Sequence, residues 1–460
     1  MVEPSRASSE PDATQLPPIL RETFGSRLGV LATMVGLAVG LGNVWRFPYM
    51  VGQFGGAAFV LVYLGLALLV GIPALMGEWS LGRHTRLGTL GAYEKIGVPG
   101  GRWVGWLLCI IVWAAVAYYT NAIGWVLFHA VGEAALAVGR GFDASVILPP
   151  ASGVSPPSLG LQLLFMVAVL TVEAMVILRG VRAGIERIST VVTPILFFTL
   201  LLVIARSVTL PGAGEGIAWL FSFQPDEVTP AVVIAALGQL VFSIGLGGTL
   251  MVVYGSYLSD DTDIRADASF TVLGDTGAGI LAGLAIFPAV FALGLEPGSG
   301  PGLLFETLPR IFQRLPLGWL FGLLFFCGLF GAALLSGIAA YEVLVAGFTD
   351  HLGWSRRRAT WTVYAGSLLL AIPPMVNLEI FVPWDLTFGS GGQTFGTLIS
   401  VLTVGWVMRR ATLLEEIAGA HPSWRDRLLV WWLRWVVPLA VFAAAVWWLL
   451  SDVLGRVQVG

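Results

Sequence analysis

Charged residues are scarce in this sequence. Asp, Glu, Lys and Arg make up 12% of its 460 residues and hydrophobic residues make up 57%, whereas about 25% of an ordinary soluble domain is charged. This shortage excludes a typical soluble protein and predicts an integral membrane protein. The net charge is only −3, and the basic residues are dispersed rather than gathered into one patch, so the composition gives no indication of nucleic-acid binding.

Cysteine and histidine are also rare. The two cysteines, Cys109 and Cys327, both fall inside apolar segments, and the four histidines are scattered over separate loops and segment ends. Such a set predicts neither a disulfide framework nor a metal site. A membrane enzyme would need a nucleophile with its base, or a metal cluster, among the apolar segments. The sequence offers neither there, so we expect no enzyme.

The start of the sequence lacks the features of a secretory signal. Residues 1–20 are rich in Ser, Pro and Glu, without the positively charged region and apolar core that a cleaved signal contains. We therefore expect residues 1–24 to form a cytosolic tail.

Long apolar runs dominate the rest of the sequence. A helix needs about 20 residues to cross the roughly 30 Å of hydrocarbon in a bilayer. Eleven runs are long enough, at 26–48, 56–82, 103–134, 158–178, 183–206, 229–257, 269–294, 317–348, 357–374, 382–408 and 428–451. The stretch 301–314 is shorter and more polar, which predicts an amphipathic loop helix. The expected fold class is an all-α integral membrane protein with eleven transmembrane helices.

The distribution of Arg and Lys predicts the orientation. With the N-terminus inside, the inner segments hold eighteen of these residues and the outer loops hold five, while Arg46 and Arg434 lie within spans. Cytoplasmic loops carry an excess of Arg and Lys. We therefore expect insertion in the inner (plasma) membrane, a cytoplasmic N-terminus and, after eleven spans, an extracytoplasmic C-terminus.

The first apolar run contains an unusual stretch from Gly36 to Pro48, GLAVGLGNVWRFP. An unpaired backbone group in hydrocarbon costs several kcal/mol, so irregular backbone at this depth is tolerated only where it lines a cavity. We therefore expect a broken helix that forms part of a ligand site. Close helix packing is the alternative, since Gly36 and Gly40 have the spacing of packing glycines, but packing does not require Asn43, Arg46 or Pro48.

A second glycine-rich break lies in the sixth span, where residues 239–249 read QLVFSIGLGGT. The two breaks are five spans apart, so the halves that carry them would have opposite orientations in the membrane. This pattern is typical of an inverted repeat, in which the substrate binds between two discontinuous helices near the bilayer midplane.

Several separate motifs resemble those of the neurotransmitter:sodium symporter family. They are the stretch from Gly36 to Pro48, GQFGGAAF at 52–59, EWSLGR at 78–83, Tyr118-Tyr119, Gly184 followed by Pro194, YGSY at 254–257 and PGLLF at 301–305. The resemblance covers about residues 21–451. It implies sodium-driven transport by a LeuT-type 5+5 inverted-repeat bundle with helices 1 and 6 broken. The repeats would occupy 25–207 and 229–409, with an eleventh span at 427–451.

The resemblance also implies a substrate site at the two breaks, where freed amides suit a carboxylate and freed carbonyls suit a cation. The implied contacts of the substrate carboxylate are Leu41, Gly42 and Tyr119. Those of its amine are Ala38, Phe242 and Ser243, with Phe242 also as a lid. Further implied substrate positions are Ala115, Gly245, Gly248, Ser336 and Ala340. Most of these are small, which favours a bulky side chain. Relatives that transport monoamines carry aspartate where Gly40 stands, so this substrate is expected to bring its own carboxylate.

Two sodium sites follow from the same resemblance. The first would be built from Ala38, Asn43, Ser243 and Asp275. The second would be built from Gly36, Val39, Ala332 and Ser336. Family members usually offer two adjacent hydroxyl residues in the eighth span, but here the pair is Leu335-Ser336, and loss of an oxygen ligand weakens a site for a hard cation. Either a water replaces that ligand or the transporter uses one sodium ion.

Asp275 is an ionisable residue within an apolar span, which by default marks a functional position. In chloride-dependent relatives neutral residues line this neighbourhood. Tyr63, Gln239 and Ser243 match that site here, but a carboxylate stands beside them. We predict chloride-independent uptake, with proton exchange at Asp275 as an addition. A structural pairing of Asp275 with a loop charge is the alternative.

Charge pairs are the expected gates. Arg46 and Asp385 would close the outer path, since arginine forms a planar paired contact with a carboxylate. The implied inner gate consists of Arg21, Asp350, Tyr257 and Glu342. For Arg21 an ordinary positive-inside anchor is the alternative. Glu78, in the middle of the second span, is expected to brace the backbone of the first helix.

The sequence thus predicts a sodium-coupled symporter that imports a neutral amino acid, bulky and hydrophobic or aromatic, with one or two Na+ ions. A methylated or ω-amino acid such as betaine, GABA or taurine is the first alternative, because Gly245 replaces a serine whose hydroxyl often receives the amine. A non-transporting amino-acid sensor is the second. The expected partners are a zwitterionic substrate and membrane lipid, without nucleic acid, and the expected state is a monomer or a weak homodimer.

Overall fold

A computed structural model describes residues 22–297, 304–305, 308–314 and 316–450 of the chain. Within these ranges the regular structure is helical. In chain order the helices are α1 Arg27–Ala38, α2 Gly42–Gln53, α3 Ala57–Thr85, α4 Thr89–Lys95, α5 Gly101–Ala137, α6 Pro156–Ile177, α7 Val181–Ser207, α8 Ala213–Phe221, α9 Pro230–Ile244, α10 Leu250–Gly255, α11 Ile264–Ala292, α12 Leu308–Arg314, α13 Gly318–Leu352, α14 Arg356–Val376, α15 Leu378–Val407, α16 Arg410–Ala418 and α17 Trp424–Trp448.

Eight of the seventeen helices in the described ranges are long and apolar enough to cross a membrane singly. In the described part of the chain, α3, α5, α6, α7, α11, α13, α14 and α17 are each long and apolar enough to do so without a bend above 40°. The pair α1 and α2, bent by 49°, and the pair α15 and α16, bent by 108°, pass the same test when joined. Each of the predicted apolar runs overlaps at least one helix. The number of eleven membrane-spanning helices stays a prediction.

The chain leaves the helical conformation between α1 and α2. Val39 is extended, with φ −78° and ψ 105°. Side chains pair two of the backbone groups that the break frees: the Gly40 N–H donates to Asn43 Oδ1 at 3.0 Å, and the Leu37 carbonyl accepts from Ser336 Oγ at 2.8 Å. The irregular backbone is therefore stabilised inside the protein, as a membrane interior requires.

A second gap separates α9 from α10. Gly245, Gly247 and Gly248 have φ of 74°, 155° and 66°, values that glycine adopts without the steric cost of a Cβ atom. Glu78 of α3 accepts hydrogen bonds from the Gly247 and Gly248 N–H groups at 3.2 and 2.8 Å. The prediction that Glu78 braces the first helix is wrong, because its carboxylate holds the second break.

Helix α3 also packs directly on α10. A Cβ atom on Gly82 would lie 1.9 Å from the Val252 carbonyl oxygen, and one on Gly255 would lie 2.7 Å from the Trp79 backbone. Glycines at helix crossings allow backbones to approach this closely. Helix α3 thus fixes both the break and the helix that follows it.

Candidate functional site

A cavity lies between the two breaks and is closed by α5, α13 and α15. Its cavity volume is about 80 Å³. Nine of the eleven predicted substrate residues line it, namely Ala38, Gly42, Ala115, Tyr119, Phe242, Ser243, Gly245, Ser336 and Ala340. The structure therefore brings residues from the two predicted repeats to one site.

Leu41 and Gly248 are the two predicted residues outside this lining. The Leu41 N–H still reaches the site, since it donates to the Tyr119 hydroxyl at 3.3 Å. Gly248 packs away from the cavity: a Cβ atom there would lie 2.2 Å from the Tyr93 hydroxyl and 2.8 Å from the Gly396 carbonyl oxygen. We therefore correct the prediction that Gly248 contacts the substrate side chain. This glycine instead allows the irregular backbone of the break.

The cavity also has lining residues that the sequence did not single out. Val112 and Val116 lie on the same face of α5 as Ala115. Residues at i, i+3 and i+4 share a helix face, so both valines could have been predicted from the sequence. Thr249 and Gln393 line the cavity as well. Gln393 belongs to no motif, and its position follows only from the way α15 packs beside the second break.

Three of the four predicted ligands of the first sodium site meet in one buried polar cluster. Asn43 Nδ2 lies 3.0 Å from Ser243 Oγ, 2.7 Å from Asp275 Oδ1 and 2.9 Å from the Asp275 carbonyl oxygen. Ala38, the fourth, lines the adjacent cavity. A carboxylate, a hydroxyl and a carbonyl so close together suit a hard cation, which prefers oxygen ligands.

The partners of Asp275 are neutral side chains from other helices. The Ser243 hydroxyl donates to its carboxylate at 2.9 Å and the Tyr63 hydroxyl at 3.2 Å, in addition to the Asn43 amide. Among the residues that the structure describes, Asp275 forms no salt bridge with a loop. Gln239 stands nearby and donates to the Gly42 carbonyl at 2.9 Å.

The residues of the predicted second sodium site lie in more apolar surroundings. Val39 and Ala332 belong to a small hydrophobic cluster with Leu196 and Leu200 of α7. The Ser336 hydroxyl lies 3.5 Å from the Ala332 carbonyl oxygen, though its shorter bond is to Leu37. This site therefore combines few polar atoms with a hydrophobic wall.

Gly36, the remaining residue of that site, is enclosed by two side chains. A Cβ atom on it would lie 2.8 Å from Leu335 Cδ1 and 2.4 Å from Thr193 Oγ1. The Thr193 hydroxyl donates to the Ala32 carbonyl at 3.0 Å. A leucine methyl thus stands beside Gly36, where the family resemblance implies a hydroxyl residue.

The predicted outer gate residues are arranged without a direct contact. Arg46 donates to Ser390 Oγ at 3.1 Å, and its guanidinium carbon lies 4.6 Å from the centre of the Phe242 ring. Asp385 lies instead beside the Tyr118 hydroxyl, against Gly389. Within the described ranges, Arg46 and Asp385 form no ion pair at 4 Å or less. The arginine covers the ring that lines the cavity.

At the predicted inner gate, Tyr257 and Glu342 contact each other. The Tyr257 hydroxyl donates to Glu342 Oε1 at 2.7 Å, and Arg356 binds both oxygens of this carboxylate at 3.1 and 2.6 Å. From the sequence, Arg356 is counted only among the basic residues expected in the cytoplasmic segments. Buried carboxylates are often paired with a cation, and this tendency could have identified the arginine at the start of the next helix as a partner of Glu342.

The other two inner gate residues cannot be compared directly, because Arg21 lies outside the described residues. Asp350 Oδ2 accepts a backbone N–H at 2.9 Å. The segment that follows Arg21 is attached to the start of α7: Glu22 accepts the N–H groups of Val181 and Arg182, both at 2.9 Å.

A second carboxylate strengthens this attachment. Glu186 of α7 accepts from the Gly25 N–H at 2.8 Å and from the Ser26 hydroxyl at 2.9 Å. We call Glu22, Glu186 and their four donors the N-terminal clasp. It joins the N-terminal end of α1 to α7.

Comparisons with known proteins agree with this architecture. A family model described as the sodium:neurotransmitter symporter family matches residues 21–135 and 155–451. An uncharacterized sodium-dependent transporter of Bacillus subtilis is 34% identical over 435 residues, which cover 91% of this chain and 95% of that protein. The sodium-dependent serotonin transporter of Drosophila melanogaster is 27% identical over 480 residues, which cover 92% of this chain and 75% of that protein.

A solved structure gives the same result. The crystal structure of MhsT in complex with L-phenylalanine matches with a TM-score of 0.83 and 34% identity, over 92% of this chain and 100% of that chain. The predicted LeuT-type helical bundle is thereby confirmed. This chain belongs to the sodium:neurotransmitter symporter family, whose members are multi-pass membrane proteins that transport their substrates with sodium and are not enzymes.

Proposed function

We propose that this protein imports a bulky neutral amino acid, aromatic or branched, together with sodium and without chloride. The observation that carries the proposal is the cavity between the two breaks. It offers the Tyr119 hydroxyl beside the Leu41 amide for a carboxylate, and an apolar wall that includes Val112 and Ala115 for a large side chain. The relative that was crystallised with L-phenylalanine supports a substrate of this class.

Sodium and substrate would stabilise each other at the first site. Asn43, Ser243 and Asp275 would bind the ion with the Ala38 carbonyl, and the carboxylate of the amino acid would complete its coordination. Each ligand then raises the affinity for the other, because a coupling free energy between two sites is reciprocal. In alternating access, this mutual dependence links uptake to the sodium gradient.

The carboxylate of Asp275 would take the place of chloride. The side chain is fully buried, and the hydrogen bonds that it accepts from Tyr63, Ser243 and Asn43 come from neutral groups. A fixed negative charge at this point would balance the sodium ion within the membrane. Uptake would then need no anion from solution.

The second site would bind sodium weakly. Leu335 provides a methyl group beside Gly36. The Ser336 hydroxyl donates a hydrogen bond to the Leu37 carbonyl, and the Thr193 hydroxyl donates one to another backbone carbonyl of α1. Because both hydroxyls near this site already bond to the backbone and Leu335 offers no oxygen, we propose transport with one tightly bound ion at the first site.

Uptake into proteoliposomes tests the proposal. The purified protein would be given a panel of amino acids, betaine, GABA and taurine, with an inward sodium gradient and with chloride or gluconate as the anion. We expect uptake of large neutral amino acids with sodium in both anions. Uptake of betaine or an ω-amino acid alone would favour that alternative, while sodium-dependent binding without any uptake would favour a sensor.

We further propose insertion in the plasma membrane with a cytoplasmic N-terminus, an extracytoplasmic C-terminus and a monomeric or weakly dimeric state. The excess of Arg and Lys in the inner segments supports the orientation. Labelling of single cysteines placed at Arg357, in an inner segment, and Asp226, in an outer loop, tests it. We expect an impermeant thiol reagent to reach only the second position in intact cells.

A further inference from the structure

One polar side chain in the cavity has no role in the site described so far. Gln393 of α15 lines the cavity, and its Oε1 atom is buried without a hydrogen-bond partner among the residues that the structure describes. Buried polar atoms in folded proteins nearly always have a partner, and leaving an acceptor unpaired costs free energy. Gln393 therefore offers an unpaired hydrogen-bond acceptor to a donor group of a ligand in the cavity.

Thr249 lies at the same end of the cavity. A Cβ atom on Gly247 would be 3.6 Å from Thr249 Oγ1 and 3.7 Å from Gln393 Cα, so both residues lie beside this glycine. Both line the cavity, and Thr249 is only 7% exposed. We call Gln393 and Thr249 the amide subsite.

The amide subsite differs from the groups that would hold an amino acid's carboxylate and amine. Those groups lie at the first break and at Ser243, where Tyr119 and the Leu41 amide meet. Gly247, beside the amide subsite, is four residues further along the chain than Ser243. Other residues that line the same cavity, such as Val116, Leu246 and Leu250, are apolar. A long side chain could cross this apolar part and end at the amide.

We propose that the amide subsite selects substrates whose side chain ends in a hydrogen-bond donor, so that the preferred substrate is an aromatic amino acid with an indole N–H or a phenol O–H. The inference rests on the proposed function and narrows its substrate class. A ring without a donor leaves Gln393 Oε1 unpaired, whereas a ring with one pairs it. A site built to hydrogen-bond a substrate group discriminates against the analogue that lacks the group.

Binding to the unmodified protein tests the proposal first. Affinities of tryptophan, 1-methyltryptophan, tyrosine, phenylalanine and leucine would be measured in sodium by thermal shift and calorimetry. A net hydrogen bond corresponds to about a five- to tenfold change in affinity. We expect at least that preference for tryptophan over 1-methyltryptophan, or for tyrosine over phenylalanine. Equal affinities within both pairs would overturn the inference, whereas binding of no amino acid at all would overturn the proposed function.

Variants then locate the effect. Gln393→Leu keeps the bulk of the side chain and removes its polar atoms, so we expect the preference within each pair to fall to about one with phenylalanine affinity retained. Thr249→Val is expected to reduce the preference less. Gln224→Leu, at an exposed loop position, is the matched control and should leave the preference unchanged. An equal loss of affinity for all five compounds in Gln393→Leu would contradict a specific contact.

Discussion

Asp275 shows how a single residue can set the ionic requirement of the whole transporter. Its carboxylate is buried, and the donors around it, Tyr63, Ser243 and Asn43, are neutral. An ionised carboxylate removed from water is costly unless a cation compensates it. A sodium ion within the same cluster would supply that compensation, so the charge of the residue and the affinity for the ion depend on each other.

Replacing this charge should change the anion requirement. In Asp275→Asn we expect at least about a tenfold loss of sodium affinity, because the site loses a full negative charge near the ion. We also expect chloride to restore part of the loss, since an anion can then occupy the neutral site. Sodium titrations of substrate binding in chloride and in gluconate measure both effects. Asp226→Asn, in an exposed loop, is the control, and equal sodium affinity of Asp275→Asn in gluconate would contradict the role.

Leu335 offers the complementary experiment at the second site. Leu335→Thr adds a hydroxyl oxygen beside Gly36, and a further oxygen ligand strengthens a site for a hard cation. We expect uptake to change from a nearly linear to a more sigmoidal dependence on sodium, with a Hill coefficient that rises toward about two. Leu335→Val has the same branched shape as threonine without the oxygen, and it should keep the original dependence. A sigmoidal dependence already present in the unmodified protein would argue against a weakened second site.

At the scale of elements, α3 acts as the support of the second break. Glu78 accepts three hydrogen bonds on one oxygen, from the Gly247 and Gly248 N–H groups and from the Ser400 hydroxyl at 2.6 Å. The N–H groups of Gly247 and Gly248 donate to Glu78 instead of to helical carbonyls. The carboxylate thus replaces two acceptors that a continuous helix would supply. The geometry of the cavity wall thus depends on a residue that does not line the cavity.

Removing the Glu78 carboxylate should destabilise the backbone conformation of the second break. We expect Glu78→Leu to lower the midpoint of thermal unfolding and to abolish substrate binding, because two backbone donors in the membrane lose their partner at a cost of about 1–3 kcal/mol each. Glu78→Gln keeps an acceptor oxygen and is expected to retain most of the stability. Thermal unfolding in detergent and calorimetric binding measure the two properties. A Glu78→Leu variant with unchanged unfolding and binding would refute this role.

The sequence predicted the positions of the helices and of both breaks, because glycine-rich irregularity inside an apolar run is visible without coordinates. It also predicted Asn43, Ser243 and Asp275 as one cluster, through motifs shared with a family. Contacts between helices that are distant in the sequence were harder to predict. Glu78 could be identified as important, but only the crossing of α3 with α10 decides which break it holds. Gln393 carries no signal in the sequence at all.

At the scale of the whole molecule, both predicted gates join distant parts of the chain. At the predicted outer gate, Arg46 covers Phe242 through a cation–π contact and donates a hydrogen bond to Ser390. At the predicted inner gate, Glu342 binds Tyr257 and Arg356, and the N-terminal clasp joins α1 to α7. Alternating access requires each side to open while the other is closed. Each gate therefore has to release contacts between distant parts of the chain.

The N-terminal clasp should determine how readily the N-terminal end of α1 moves. Each clasp carboxylate uses both oxygens as acceptors, so the double variant Glu22→Gln and Glu186→Gln leaves one acceptor on each side chain and places an amide donor against a second donor. We expect hydrogen exchange of α1 residues 27–38 to become about tenfold faster, since local opening follows the free energy of the bonds that close it. Exchange of α5 should stay unchanged. Glu94→Gln, at an exposed position in α4, is the control for loss of charge. If exchange of α1 stays at the original rate in the double variant, the clasp does not restrain the opening of the predicted inner gate, and Glu342 with Arg356 would have to provide that restraint.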